Sequence, residues 1–126
     1  MVIDDLATID ASKENWYVNV AKVNQLWLSP SFYGSKLPFY MDMILMDDKG
    51  CKIHATVRKT LIYRFQSLLS EGRVYQILFF GVGESGRDFR PTSHPFKINF
   101  DIHTFVRLVP NKAINLSLTI LCQYLI

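Results

Sequence analysis

The sequence predicts an all-β fold with one helix, a five-stranded OB-fold Greek-key barrel in which the helix lies between strands 3 and 4. Two segments alternate apolar and polar side chains as half-buried strands do, and before the chain end only residues 60–70 have a helical period. The order is three strands, one helix and two strands within residues 16–110. A generic β-sandwich has no reason to place a single helix there, so this order favours the barrel.

Three strands are predicted before the helix. In Trp16–Trp27 the apolar residues change parity midway, which indicates a bulged or bent first strand. Phe39–Met46 is the second strand, and a tight turn at Asp47–Gly50 connects it to the third, Cys51–Lys59. The polar parity of this third strand consists of Lys52, His54, Thr56 and Arg58.

One helix and two strands follow. Apolar residues at helical spacing predict a helix at Thr60–Ser70, with Gly72 suited to its C-terminal cap. Arg73–Val82 is apolar on both parities, which indicates a buried fourth strand. A glycine-rich hairpin loop at Gly83–Asp88 then leads to an interrupted last strand within Phe89–Pro110.

Composition indicates a single folded domain. A chain of 126 residues with 49% hydrophobic and 20% charged residues is not wholly disordered. No stretch approaches the roughly 18 consecutive apolar residues of a membrane span. Asp4 and Asp5 argue against a secretory signal peptide, and Cys51 and Cys122 have no metal-ligand spacing, so we expect a reduced intracellular protein.

Charge and hydropathy divide the chain into three parts. Residues 1–15 hold four acidic side chains and one lysine, whereas residues 16–126 hold 13 basic and 7 acidic side chains. We therefore expect a flexible acidic leader at 1–14, the OB-fold domain at 15–110 and an apolar tail at 111–126. The mildly basic body is compatible with nucleic-acid binding. The tail fits a strand pattern, which we prefer, and also a helical seam.

No catalytic or metal-binding motif is supported by the sequence. His54, His94 and His103 lack ligand-like spacing, and no serine lies in a nucleophile context such as GxSxG. The glycines of 81–86 approximate GxGxxG, but a strand follows them, so no helix N-terminus is present to bind a phosphate. We expect neither enzyme activity nor a cofactor.

Two features favour a binding surface. Phe89 follows the glycine-rich loop and lies among charged residues, which favours stacking on a base over the two alternatives, packing at the barrel rim and contact with a partner. The polar parity of the third strand favours nucleic-acid contact over an ordinary solvated face, because OB folds bind through strands 2 and 3.

The sequence resembles the first OB domain of plant-type replication protein A large-subunit-like proteins over residues 14–110. The resemblance rests on Trp16–Trp27, on Leu45–Gly50 before Ile53–Thr56, on Phe65 with Leu69–Tyr75, and on Phe89–Phe100 with Thr104. It implies single-stranded DNA binding in the nucleus, during DNA replication, repair and recombination, with other replication protein A-like subunits as partners and with no cofactor.

The resemblance also implies a set of binding residues. Phe89 matches a position at which the family stacks an aromatic ring on a base, and Tyr40 lies near a second such position in strand 2. The basic and polar residues of strand 3 match the family's contacts to the DNA backbone and bases. The predicted set is Phe89, Arg58, His54, Lys52, Thr56, Arg87, Arg90, Lys97 and Tyr40.

Two functions are compatible with these patterns. The first is largely sequence-tolerant binding of single-stranded DNA. The alternative is an OB-fold module for protein–protein interaction or oligomerisation, with little nucleic-acid binding. The apolar tail at 111–126 requires a partner surface, so we expect a homodimer through the tail, whose avidity would offset modest binding per domain.

Overall fold

The computed structural model describes residues 4–12, 16–30, 38–85 and 91–109. This part of the chain is mainly β, with one short 3₁₀-helix and one α-helix. The elements in chain order are the 3₁₀-helix (Leu6–Thr8), β1 (Tyr17–Pro30), β2 (Pro38–Met46), β3 (Lys52–Arg58), α1 (Lys59–Phe65), β4 (Val74–Leu78), β5 (Gly81–Glu84), β6 (Phe96–Phe100) and β7 (Phe105–Leu108).

The strands of the described residues form one curled sheet in the order β5-β6-β3-β2-β1-β4-β7. Neighbouring strands are antiparallel, except that β3 and β6 are parallel. β4 and β5 lie near opposite ends of this order, yet only Phe79 and Phe80 separate them in the chain. Because three peptide steps span at most about 11 Å, the sheet must curl to bring these strands together.

Seven strands are present in the described residues where the sequence predicted five, because the predicted strands 4 and 5 are each interrupted. Phe79 adopts a left-handed backbone conformation (φ 59°) between β4 and β5. A turn separates β6 from β7, and in it Thr104 N donates to Asp101 O at 3.1 Å while Thr104 Oγ1 accepts from Asp101 N at 2.9 Å. These breaks let β5 and β7 pair at opposite ends of the sheet.

β1 bends as its sequence pattern predicts. Its register shifts between Val18 and Ala21 where it pairs with β4, and between Val23 and Gln25 where it pairs with β2. The prediction of a bulged first strand is therefore confirmed. Bulges increase the local twist, which helps one long strand to follow the curled sheet.

The core is built largely from the apolar parity of β2 and β3. Complete burial of a large aliphatic side chain stabilises a fold by about 1.5–3 kcal/mol. The alternation predicted for these two strands is confirmed, and it places their polar parity on the other face of the sheet. The fully buried residues of this parity are Met41, Met43, Leu45, Ile53, Ala55 and Val57.

The helix follows β3 directly and is shorter than the sequence predicts. α1 ends at Phe65 rather than at Ser70. A turn at residues 66–68 follows the helix, in which Leu69 N donates to Phe65 O at 3.0 Å. Beyond it the Tyr75 hydroxyl donates to Leu68 O at 2.9 Å and accepts from Ser70 N at 2.8 Å, which satisfies these two backbone groups. Gly72, the predicted cap, has a φ of +83° in a separate turn.

The described part of the predicted flexible leader, residues 4–12, packs against the body instead. Leu6 and Ile9 belong to the core, with 0% and 2% of their surface exposed. Leu6 N donates to Asp47 Oδ2 at 3.2 Å, and Leu6 O accepts from His94 Nε2 at 2.7 Å. The burial of these two side chains, together with the two backbone hydrogen bonds of Leu6, holds the segment in place. The tail at 111–126 lies outside the described residues.

Candidate nucleic-acid interface

The face of the sheet opposite the core carries several of the residues that the sequence predicts to bind DNA. β2 and β3 pair so that Tyr40 lies opposite Arg58 and Asp42 lies opposite Thr56. β6 continues this row, with Asn99 opposite Thr56. We name this surface the polar face, and it consists of Tyr40, Asp42, Lys52, His54, Thr56, Arg58, Lys97 and Asn99.

A groove of about 390 Å³ opens on the polar face where β2 begins and β3 ends. Tyr40 is 38% exposed and Arg58 is exposed, so an aromatic ring and a guanidinium group at this groove are both accessible to solvent. The residues that line the groove are Tyr40, Thr56, Arg58, Gly81, Asn99, Phe100 and Asp101.

A buried hydrogen-bonded pair of side chains lies in the middle of the polar face. Asp42 and His54 are each only 6% exposed, and His54 Nε2 lies 2.8 Å from Asp42 Oδ1. The Ser29 hydroxyl donates to Asp42 Oδ2 from the neighbouring β1. The Trp27 ring stacks parallel to the His54 ring, with 6.2 Å between centroids and 7° between planes. Three strands therefore contribute side chains to one polar cluster.

The hydrogen bonds of this cluster keep Asp42 ionised. Burial alone would raise the pKa of Asp42, but hydrogen bonds from His54, Ser29 and Thr56 favour the carboxylate and hold its pKa below the ordinary value. The negative charge of Asp42 is thus balanced by donors inside the sheet rather than exposed to a ligand.

The structure places His54 and Thr56 on the predicted face but below its surface. Their exposed fractions are 6% and 7%, and both interact with Asp42. A direct bond from either side chain to DNA stays a prediction. Sequence analysis did not find the cluster, because the alternation of β3 gives no sign that Trp27 and Asp42 lie beside its polar parity.

The remaining predicted residues divide into two groups. Lys52 is exposed and Lys97 is half-buried, with Lys97 opposite His54, so both extend the polar face away from the groove. Phe89, Arg87 and Arg90 lie outside the described residues, and their roles stay predictions.

Two further properties concern only the described part of the chain. Among these residues, no group of three or more His, Cys, Asp or Glu side chains is placed to hold a metal ion. No helix there is long and apolar enough to cross a membrane.

A family model described as "Domain of unknown function DUF223" matches residues 7–122. The chain belongs to the DUF223 family. This DUF223 match includes Ile9 near one end and most of the apolar tail at the other, so the family's domain is wider than residues 15–110. No curated protein matches the chain significantly.

Solved structures are similar to this DUF223 chain over most of its length. A replication protein A heterotrimer bound to single-stranded DNA matches with a TM-score of 0.71 and 21% identity, over 88% of this chain and 25% of that chain. Pot1pC of Schizosaccharomyces pombe bound to single-stranded DNA matches with a TM-score of 0.66 and 9% identity, over 94% of each chain. An OB domain from Methanosarcina mazei has a TM-score of 0.55 and 21% identity, over 82% of each chain.

These likenesses establish the fold. The DUF223 chain has an OB fold, similar to a domain of replication protein A, and this part of the prediction is confirmed. The chain spans a quarter of the length of the replication protein A chain that it matches, so the activity of that whole protein is not transferred by the match.

Proposed function

We propose that this DUF223 chain is a non-catalytic module that binds single-stranded DNA through its polar face, in the manner of replication protein A. The groove carries the proposal, because the exposed ring of Tyr40 lies opposite the exposed Arg58 on paired strands. Aromatic platforms in positive grooves are the usual means of binding single strands. Two of the similar structures contain single-stranded DNA, and OB folds bind through strands 2 and 3.

The polar face suits a single strand of DNA that extends from the groove towards the other end of β3. One base stacks on Tyr40, and Arg58 neutralises a neighbouring phosphate. Lys97 and Lys52 hold phosphates further along the face. Asp42 does not repel this backbone strongly, because it is buried and bound by donors within the sheet.

The loop between β5 and β6 supplies the second part of the proposed site. Phe89 stacks on another base, and Arg87 and Arg90 contact phosphates. Replacing Phe89 by alanine should weaken binding by about 1–3 kcal/mol, the usual contribution of one stacked base. If the melting temperature falls sharply while the folded protein keeps its affinity, Phe89 packs on the barrel instead.

Binding by one such module is modest, because only a few cations face the strand. We therefore propose a second contact, either a homodimer through the tail at 111–126 or a complex with other replication protein A-like subunits. Light scattering on the full chain and on a version ending at Pro110 tests the dimer. The dimer is contradicted if the full chain is monomeric at protein concentrations well above its dissociation constant for single-stranded DNA.

The cellular setting that we propose is the nucleus. The resemblance to plant-type replication protein A large subunits favours a nuclear protein of DNA replication, repair and recombination. A fluorescent fusion that stays outside the nucleus would contradict this setting without affecting the binding proposal.

Fluorescence anisotropy tests the binding proposal directly. A labelled oligo-dT of about 12 nucleotides lies within the usual site size of one OB fold, about 4–16 nucleotides. We expect saturable binding that weakens as salt increases, and weaker binding to the same sequence as a duplex. Binding weaker than about 10⁻³ M at low salt would refute the proposal, because even non-specific binding to DNA typically reaches 10⁻⁴–10⁻⁶ M. That result would favour the alternative function, a module for protein–protein interaction or oligomerisation.

A further inference from the structure

We infer that the groove at Tyr40 and Arg58 holds one nucleobase with an exocyclic amino group, cytosine, adenine or guanine, and that Asp101 recognises this amino group. The inference rests on the proposed function, because it assigns a base preference to the same surface. It goes beyond that function, since it adds a preference among bases at one position of an otherwise sequence-tolerant site.

The groove is large enough to hold one base. Its volume of about 390 Å³ is near the lower end of the range for small-molecule sites, about 300–1,000 Å³. β5 contributes Gly81 to the lining, and a Cβ atom at this position would lie 3.5 Å from Asn99 O and 4.0 Å from Asp101 Oδ2. The missing side chain therefore leaves room beside the Asp101 carboxylate.

The carboxylate of Asp101 is held in one orientation. Its Oδ1 accepts from His103 N at 2.8 Å and lies 3.4 Å from Thr104 Oγ1, both within the turn between β6 and β7. The other oxygen, Oδ2, is the one that lies beside Gly81. The turn thus fixes one oxygen and directs the second towards the groove.

A carboxylate oxygen discriminates among bases by the hydrogen bonds that it accepts. It accepts from N–H groups and has no proton of its own to donate when ionised. Cytosine and adenine present an amino group at the position where thymine presents the O4 acceptor. Guanine also presents an amino group, at N2, whereas the N3–H donor of thymine lies between two carbonyl oxygens, O2 and O4, which a carboxylate repels. Asp101 therefore favours the three bases that carry an amino group over thymine. Tyr40 stacks on any base and adds no preference of this kind.

The first test compares two labelled oligonucleotides of about 12 nucleotides, one of cytosine and one of thymine, with the full wild-type chain at neutral pH. We expect the cytosine oligonucleotide to bind about ten-fold more tightly, the ratio that corresponds to 1.4 kcal/mol. Equal affinity for the two would overturn the inference and leave the proposed function intact. Failure to bind either oligonucleotide would overturn both.

The second test is Asp101→Asn. Asparagine keeps the Oδ1 acceptor that the turn needs, and it places an amide N–H in the position of Oδ2. We expect the preference to shift towards thymine, because the new donor matches O4. A general loss of negative charge would strengthen binding to both oligonucleotides alike, so only the ratio of affinities is diagnostic. An unchanged ratio in the folded variant overturns the inference.

Glu84→Gln is the matched control for this variant. Glu84 is exposed on β5, the strand that contributes Gly81, and it does not line the groove. The substitution removes one negative charge near the face, so both affinities should rise slightly while the ratio stays that of wild type. If Glu84→Gln changes the ratio as Asp101→Asn does, Asp101 has no special role. Thermal melting confirms that both variants fold, and the wild-type ratio stands as a test even if one does not.

Discussion

The buried carboxylate of Asp42 is the feature whose energetic role can be measured most directly. Replacing Asp42 by asparagine should lower the free energy of unfolding by about 3 kcal/mol at neutral pH. Hydrogen bonds to a charged group contribute about 1.5–3 kcal/mol and neutral ones about 0.5–1.5. The asparagine oxygen accepts only as a neutral group and its amide nitrogen does not accept at all. The weakened or lost bonds from Ser29, His54 and Thr56 together account for roughly 3 kcal/mol. Asparagine keeps the shape of the side chain, so no cavity contributes to this loss.

Urea unfolding at neutral pH, followed by tryptophan fluorescence and circular dichroism, measures this change. Trp27 stacks on His54, so its fluorescence reports on the cluster itself. Asp48→Asn is the control, because burial raises the pKa of Asp48 and its charge does not stabilise the fold. A loss below about 0.5 kcal/mol for Asp42→Asn, typical of surface substitutions, would refute a buried and fully bonded Asp42.

The same variant predicts a pH dependence with a definite sign. The folded-state pKa of Asp42 is lowered, so its contribution is fully present above the ordinary carboxyl pKa and is lost as pH falls through the lowered value. The stability difference between wild type and Asp42→Asn should therefore shrink in strongly acidic urea titrations. Asp48 has the opposite sign, because its raised pKa makes its ionised form unfavourable as pH rises. A difference that stays constant down to strong acid would contradict this linkage.

Three further predictions concern the binding face and the N-terminal segment. Tyr40→Ala should weaken binding of the cytosine oligonucleotide by about 1–3 kcal/mol in anisotropy, whereas Tyr63→Ala, which removes a 78% exposed ring from α1, should not. Equal effects of the two substitutions would contradict stacking on Tyr40. Arg58→Ala should flatten the slope of log affinity against log salt by about 0.7, as one lost phosphate contact on a single strand does. Arg107→Ala on β7 is the control and should leave that slope unchanged. If Arg58→Ala also leaves the slope unchanged, Arg58 belongs to the ordinary solvated surface. Leu6→Ala should lower the free energy of unfolding by about 2–5 kcal/mol in urea, and a near-zero change would mean that the segment is not part of the core.

Sequence patterns predicted the central strands well because the apolar parity of β2 and β3 faces the core while the polar parity lies on the other face. Met43 and Ala55 are fully buried while Lys52 and Arg58 are exposed, which is the arrangement that alternation encodes. The division of the last strands was not predicted, because it depends on the backbone conformation of Phe79. A phenylalanine with a positive φ has no sequence signal, since few residues other than glycine adopt that conformation.

The candidate site was predicted only in part, for a related reason. Alternation placed His54 on the polar face, and it carried no information about depth. The burial of His54 follows from its partners Asp42 and Trp27, which come from two other strands and meet it through long-range register. The packing of residues 4–12 was not predicted for the same reason. Leu6 and Ile9 are too few to form a period, and they are buried by contacts with distant residues.

The bonds of Leu6 have a consequence for how the chain matures. Leu6 N donates to Asp47 and Leu6 O accepts from His94, and these partners lie 41 and 88 positions further along the sequence. Residues 4–12 are synthesised before His94 and therefore reach their final place only after His94 has been synthesised. Contacts of such long sequence separation slow folding, because the intervening chain must be ordered before they form. We expect nascent chains that end before His94 to keep residues 4–12 sensitive to protease, and the released full chain to protect them.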